Sequence, residues 1–194
     1  MEKTFVMIKP DGVQRSLIGE CIRRFEKAGL KIVALKMLKP TKELVEKHYP
    51  SDEGWLKTVG ERSIKTFTEQ NIDIKKKFGT TNSLAIGKVI KSWLVNFISS
   101  GPVVVMIIEG NKAIDNVRRI CGETDPMKAL PGSIRGDFSI DNVILGNSLE
   151  RPIVNVIHAS GNTKEAENEI SLWFKTQEIC EYKRIDEEIF YKKW

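Results

Sequence analysis

The sequence predicts an α+β fold: a ferredoxin-like four-stranded antiparallel sheet with helices packed on it, plus a mostly helical insertion. Three observations predict it. Two short, nearly all-apolar runs, Phe5-Val6-Met7-Ile8 and Val103 to Ile108, read as buried strands. Each is followed by a stretch of helical periodicity and then a further strand, so the order is strand, helix, strand, helices, strand, helix, strand, helix. Turn residues stand at the joints, as in Pro10-Asp11-Gly12 and Ser99-Ser100-Gly101-Pro102.

The elements follow in order. Thr4 to Lys9 reads as the first strand. Ser16 suits a helix N-cap, with Ile18, Cys21, Ile22, Phe25 and Ala28 at helical spacing and Gly29 at the end. Leu30 to Leu38 alternates as a strand, and Thr41 caps a short helix carrying Leu44, Val45, His48 and Tyr49. From Pro50 to about Ile90 charge rises and small polar residues collect, the pattern of a solvent-facing helical insertion, with Lys75-Lys76-Lys77 as a solvated face. A helix is expected around Trp93 to Ile98, a central strand at Val103 to Ile108, and a helix from Asn111 to about Arg118-Arg119. Gly122 to Gly136 reads as a long loop, a length that is usually functional when ordered. Ile153 to Ile157 is expected as the last strand. Asn162 then caps a helix whose face is Ala166, Ile170, Trp173 and Phe174, with Glu165 at its third position.

Composition excludes several classes. Of 194 residues, 41% are hydrophobic and 29% charged, which suits a globular protein with one filled core. No apolar run approaches the ~18 residues of a membrane span, and the apolar part of the first strand is short for a signal peptide. No membrane partner and a cytoplasmic location are therefore expected. Cys21, Cys121 and Cys180 lie far apart with no metal-ligand spacing, so they are expected as small buried or half-buried apolar residues. The net charge of +5 suits nucleic acid and small anionic substrates alike.

The chemistry concentrates near Asn155-Val156-Ile157-His158-Ala159-Ser160-Gly161, where one of only two histidines closes an apolar run just before a strong helix start. A lone histidine there is ordinarily a polar strand cap. An imidazole beside helix amides is also placed to attack a phosphate and carry it. The sequence has no GxxxxGK[ST], GxGxxG or HExxH, so any phosphate must be held by side-chain cations. Lys9, Arg118 and Arg135 each end or adjoin a regular element beside turn residues, where the fork of arginine and the point charge of lysine can reach phosphate oxygens.

Lys9-Pro10-Asp11-Gly12-Val13-Gln14-Arg15, Gly122-Glu123-Thr124-Asp125-Pro126, Arg135-Gly136-Asp137-Phe138, Asn155-Val156-Ile157-His158-Ala159-Ser160 and Glu169-Ile170-Ser171-Leu172-Trp173-Phe174, in this order, resemble the nucleoside diphosphate kinases. The resemblance implies a single domain over 1–194, with insertions at about 51–89 and 142–153. It also implies a ping-pong reaction in which a histidine takes the γ-phosphate of a nucleoside triphosphate and passes it to a nucleoside diphosphate. His158 matches the nucleophile, Glu169 the carboxylate that orients it, Ser160 a nearby hydroxyl and Tyr49 a tyrosine beside the histidine. Arg118, Thr124 and Arg135 match phosphate ligands, while Lys9 and Asn155 match residues at the ribose 3′-hydroxyl, Lys9 also near the transferred phosphate. Magnesium would arrive on the nucleotide phosphates, with no protein metal site.

Three positions depart from the family pattern. Ile90 stands where a phenylalanine usually clamps the base, unless Trp93 takes over the stacking; Asn142 stands in place of a common valine; Gly161 replaces an aspartate. Broad nucleotide use and a homo-oligomer, hexamer or tetramer, are implied, and the first insertion is expected as a helical flap by the nucleotide entrance, the alternative being an oligomer contact or a lid without function. The competing reading is a ferredoxin-like nucleic-acid-binding module, which would need aromatic side chains displayed on the sheet. An inactive assembly subunit would have lost some of His158, Arg118, Arg135, Lys9 and Glu169, and all are present.

Overall fold

The computed structural model describes residues 1–194. Strand β1 (Glu2–Ile8) runs through α1 (Pro10–Gln14) and α2 (Ile18–Lys27) to β2 (Lys31–Leu38). Four helices, α3 (Lys42–His48), α4 (Glu53–Glu69), α5 (Ile74–Phe78) and α6 (Ser83–Ser99), lead to β3 (Val103–Gly110). Then come α7 (Ala113–Cys121), α8 (Ile134–Phe138), α9 (Val143–Ser148) and β4 (Ile157–Ala159), followed by α10 (Thr163–Trp173) and α11 (Glu187–Phe190). The sheet order is β2-β3-β1-β4 with every pair antiparallel, the predicted ferredoxin-like arrangement. No helix is long and apolar enough to cross a membrane.

The apolar runs are explained by burial of both sheet faces. Along β1 and β3, Val6, Ile8, Val104, Met106 and Ile108 pack under Phe25 of α2 and Val117 and Cys121 of α7. The alternate residues Phe5, Met7, Val103, Val105 and Ile107 pack under Val45 of α3, Val95 and Ile98 of α6 and Trp173 of α10. Strand alternation thus feeds two cores, each large side chain contributing about 1.5–3 kcal/mol. Covered faces also leave no aromatic platform on the sheet of the kind that the nucleic-acid-binding reading needs.

Local capping follows the residue types at several helix starts. Thr41, Asn82 and Asn162 each accept the backbone N–H three residues on. Ser16 does not cap: it takes φ +57° one residue before the Leu17 cap position, turning the chain between α1 and α2. The helix expected at Trp93 to Ile98 begins ten residues earlier, at Ser83, and the helix expected from Asn111 starts at Ala113. The expected loop from Gly122 to Gly136 contains a 3-10 turn at Pro126–Lys128 and the start of α8. Cys21 and Cys121 are buried, whereas Cys180 is exposed.

The expected strand at Ile153 to Ile157 is corrected most sharply. Only Ile157 joins β4, because Val156 adopts φ +68° while the Ile157 N–H bonds the Asn155 carbonyl at 2.7 Å. That two-residue closure is a γ-turn, a strained shape for a β-branched residue.

The segment 51–89 is helical, as expected, and its close packing is set by two glycines. Helices α4 and α6 run antiparallel so tightly that a Cβ on Gly60 would stand 1.9 Å from the Ser83 carbonyl oxygen, and one on Gly87 would stand 2.0 Å from that of Leu56. Phe67 packs edge-on against Phe78, which meets Trp93 at 6.0 Å. Trp93 is therefore engaged against Phe78. Lys75 and Lys76 are exposed as expected, but Lys77 lies over the Phe67 ring and pairs with Glu150 just beyond α9, at 3.7 Å. The segment 142–153 is thus joined to the segment 51–89.

Replacing Gly87 by alanine should force α4 and α6 apart and lower stability by about 1–3 kcal/mol in urea unfolding, the usual cost of overpacking. Gly19→Ala on α2, where a Cβ meets nothing within 4 Å, should leave stability equal or higher. Equal effects at the two sites would refute the close-packing account.

Candidate active site

His158 lies on edge strand β4 opposite Met7 of β1. Its Nε2 is 2.8 Å from Glu169 Oε1, one turn before the end of α10. The second carboxylate oxygen accepts the Ser160 hydroxyl at 2.5 Å, and that hydroxyl oxygen accepts the Phe5 N–H at 3.3 Å. Burial alone would raise the Glu169 carboxyl, but His158, His48 and the Ser160 hydroxyl outweigh it and hold the group below the usual carboxylate range. An ionised carboxylate only accepts, so it fixes the proton of neutral His158 on Nε2 and leaves the Nδ1 lone pair free.

Lys9 ends β1, and its buried Nζ donates to Asn155 Oδ1 at 2.6 Å. Burial, reinforced by the like charge of Arg135 and opposed by Asp11, lowers its ammonium to about 8. Asn155 Nδ2 in turn donates to the Thr124 carbonyl at 2.7 Å, tying the loop after α7 to the strand. The γ-turn is held from both sides: the Val156 N–H donates to Asp11 Oδ2 and the Lys9 N–H to the Val156 carbonyl, each at 2.8 Å. Strain of this kind persists only where the surroundings over-determine it. Here it turns the Asn155 side chain to Lys9 within three residues of His158.

Arg135 on α8 is buried, with Nη1 on the Gly122 carbonyl at 2.6 Å and Nη2 on that of Ile157 at 2.7 Å. Its buried Nε has no partner. Burial lowers its pKa, and the neighbouring Arg118 charge acts in the same direction, while Cys121 and Glu123 oppose it. Arg118 is exposed and, with Arg119, Gly122 and Ser133, lines a cavity of about 300 Å³. Burial pushes the Cys21 thiol up to about 12 and that of Cys121 to about 11, so neither is a nucleophile near neutrality.

The structure brings together His158, Glu169 and Ser160, and joins Lys9, Asn155 and Thr124 in one chain of hydrogen bonds. Tyr49 is one ring removed, since His48 lies between: the His48 ring is 4.9 Å from Tyr49 and 4.8 Å from His158. Ile90 is half-buried on α6. Asn142 spends its side-chain oxygen capping α9, accepting the Leu145 N–H at 2.9 Å. Gly161 donates its N–H to Glu165 Oε2 at 2.7 Å.

His48 is the residue the sequence reading missed. Its signal was its spacing three residues after Val45, on the inward face of α3, beside Tyr49. It is buried, and burial together with His158 and Lys9, against the pull of Glu169, lowers its pKa to about 3. His48, His158 and Glu169 place three potential ligand atoms within 4.8 Å of one another. Two imidazoles and one carboxylate do not suit magnesium, which demands oxygen ligands, and the facing atoms are already hydrogen-bonded.

Fold and site together define a phosphate-handling enzyme, with a carboxylate-held imidazole on the edge of a ferredoxin-like sheet and three cations beside it. A family profile described as nucleoside diphosphate kinase matches residues 2–72 and 84–179. A nucleoside diphosphate kinase of Pyrobaculum aerophilum is 48% identical over 181 residues, spanning 93% of this chain and 99% of that protein. The crystal structure of an NDP kinase from the same organism superposes with a TM-score of 0.91 at 47% identity, covering 93% of this chain and 99% of that one. A Borrelia burgdorferi nucleoside-diphosphate kinase, solved as a transition-state mimic with vanadate and ADP, gives 0.78 at 38% identity, covering 98% and 96%. The chain belongs to the nucleoside diphosphate kinase family. Phosphoryl transfer between nucleoside tri- and diphosphates is the activity of that family.

Because His48 is neutral in the folded protein down to about pH 3 and titrates near 6.5 when unfolded, the unfolded state binds the extra proton between those values. Stability should therefore fall as pH drops below about 6.5, by up to ~1.4 kcal/mol per pH unit from this group. Urea unfolding from pH 7 to pH 4 should show a shallower slope for His48→Gln. Parallel curves would exclude His48 as the source.

Proposed function

We propose that this chain transfers the γ-phosphate of a nucleoside triphosphate to a nucleoside diphosphate through a phosphohistidine on His158 Nδ1. The bond of His158 Nε2 to Glu169 Oε1, at 2.8 Å, carries the proposal, since it leaves Nδ1 as the lone-pair nitrogen. In the first half-reaction the Nδ1–P bond forms and the bond from the γ-phosphorus to the bridging oxygen breaks, leaving a nucleoside diphosphate. In the second, the terminal phosphate oxygen of another diphosphate attacks the same phosphorus and returns the imidazole. Phosphoryl transfer is mostly positioning and charge stabilisation. Arg118 and Arg135 supply charge for phosphate oxygens, with Thr124 at the edge of their loop, and Lys9 with Asn155 meets the ribose 3′-hydroxyl and the transferred group. Tyr49 walls the site behind His48. Magnesium would be carried by the nucleotide phosphates and would neutralise their oxygens.

Ile90 and Asn142 are assigned to the base side of the cleft. With an aliphatic residue and a helix-capping amide there, selectivity between bases is expected to be weak. The chain is read as one domain over 1–194 in which the segments 51–89 and 142–153 are additions, the first forming a helical flap near the nucleotide entrance.

Incubation with γ-labelled ATP and magnesium, without acceptor, should give an acid-labile label that leaves on addition of GDP or CDP. His158→Ala should give none. Glu169→Gln keeps the shape but loses the anion, and should slow labelling by about 10²-fold, in the range of a lost catalytic orienter. No label on folded wild-type protein would refute the relay.

A homo-oligomer, hexamer or tetramer, is also proposed, supported by the apolar residues left open near the C-terminal end. Ile185, Ile189, Phe190 and Trp194 are all exposed on a single chain. Truncation after Glu188 should lower the mass in solution by light scattering, and an unchanged mass would refute that contact.

A further inference from the structure

The site holds a second buried imidazole to which phosphoryl transfer assigns no task. His48 Nδ1 lies 3.3 Å from Trp173 Nε1 and 3.6 Å from Glu169 Oε1. An indole N–H can only donate, so His48 Nδ1 must accept, and the proton of the neutral ring sits on Nε2. Phe5 at 5.8 Å and Tyr49 at 4.9 Å wedge the ring, and it stands nearly perpendicular to His158, at 80°.

The position of that proton bears on the reaction because Glu169 Oε1 is also the acceptor for His158 Nε2. An imidazole carrying its proton on Nδ1 would need only a few tenths of an ångström to donate to the same oxygen. Bonds to a carboxylate are the stronger class, so a second donor would compete with His158. His158 would then be free to carry its proton on Nδ1, where it has no lone pair to offer phosphorus.

We propose that Trp173 and His48 form a tautomer lock: the indole N–H occupies His48 Nδ1 and so reserves Glu169 Oε1 for His158. Both are positioning residues, acting on the reaction through Glu169. The proposal rests on the phosphohistidine reading above. It assigns the buried Trp173 N–H a role beyond packing, and it requires the neutral state that burial of His48 favours.

A double-mutant cycle on the labelling rate, followed by rapid quench with γ-labelled ATP, tests it. Trp173→Phe alone should slow labelling by about tenfold, because His48 becomes free to divert Glu169. In a His48→Phe background the same Trp173→Phe change should add less than about twofold, because phenylalanine has no proton to compete with. Equal slowing in both backgrounds would mean that Trp173 acts through packing, and would overturn the lock. Nitrogen-15 NMR of the wild-type imidazoles reads the tautomer without any variant. The lock requires His48 to be protonated on Nε2 and bare on Nδ1, and a proton on Nδ1 would overturn it. If wild-type protein takes no label, the phosphohistidine reading fails separately, and the NMR result still decides the tautomer.

Discussion

The geometry around His158 depends on one buried carboxylate. Glu169 accepts the imidazole N–H with one oxygen and the Ser160 hydroxyl with the other, and it can remain ionised in a buried setting only because these donors face it. Remove the carboxylate and the imidazole has no fixed tautomer. Remove the donors and burial raises the carboxyl toward its neutral form. His48, although 3.6 Å from the same carboxylate, stays uncharged against its pull, because burial, with His158 and Lys9 acting in the same direction, outweighs it.

The sheet places these groups. Phe5 and Met7 sit in the core beneath α10, so Glu169, Trp173 and the β4 edge share one face of the sheet. Opposite that order stands a local violation of backbone preference. Val156 takes a left-handed γ-turn and is held there by Asp11 and by the Lys9 N–H. The cost of such a conformation is about 1–3 kcal/mol. What it gives is a strand that starts at Ile157, with Asn155 turned to Lys9 and the Ile157 carbonyl available to Arg135.

At this turn the sequence pattern misleads. The apolar run across Ile153 to Ile157 looks like strand because side-chain chemistry is all that patterning registers, and the bonds that bend Val156 come from Asp11 and Lys9, with Asp11 lying 145 residues away. The succession of elements, the two central strands and the caps at Thr41 and Asn162 were legible because they depend on neighbours in sequence. Ser16 misled for the same reason: a good cap residue has no effect where the chain must turn through φ +57°. In the site, His158, Glu169, Lys9 and Arg135 carried motif context. His48 did not, because a histidine on the inner face of a short helix is indistinguishable from a packing residue until α10 is laid against it.

The segments 51–89 and 142–153 are each tied to the centre of the fold. The first begins directly after Tyr49, and Lys91 of α6 returns to that point, donating to the Tyr49 carbonyl at 2.8 Å and the Ser51 hydroxyl at 2.5 Å. The second is closed by Arg151 on Asp141, whose Oδ2 accepts the Val154 N–H at 2.6 Å, one residue before Asn155. Their far ends meet through Lys77 and Glu150. That outer pair is exposed on the Glu150 side and worth at most about 1 kcal/mol, whereas the Gly60 and Gly87 crossing locks α4 to α6 by backbone contact. The stiff part of the segment 51–89 is therefore its helix pair with α6, and the weak part is its contact with the segment 142–153. The pair is tied to the centre through α6, where Lys91 holds the Tyr49 carbonyl and Val95 and Ile98 pack directly on the sheet.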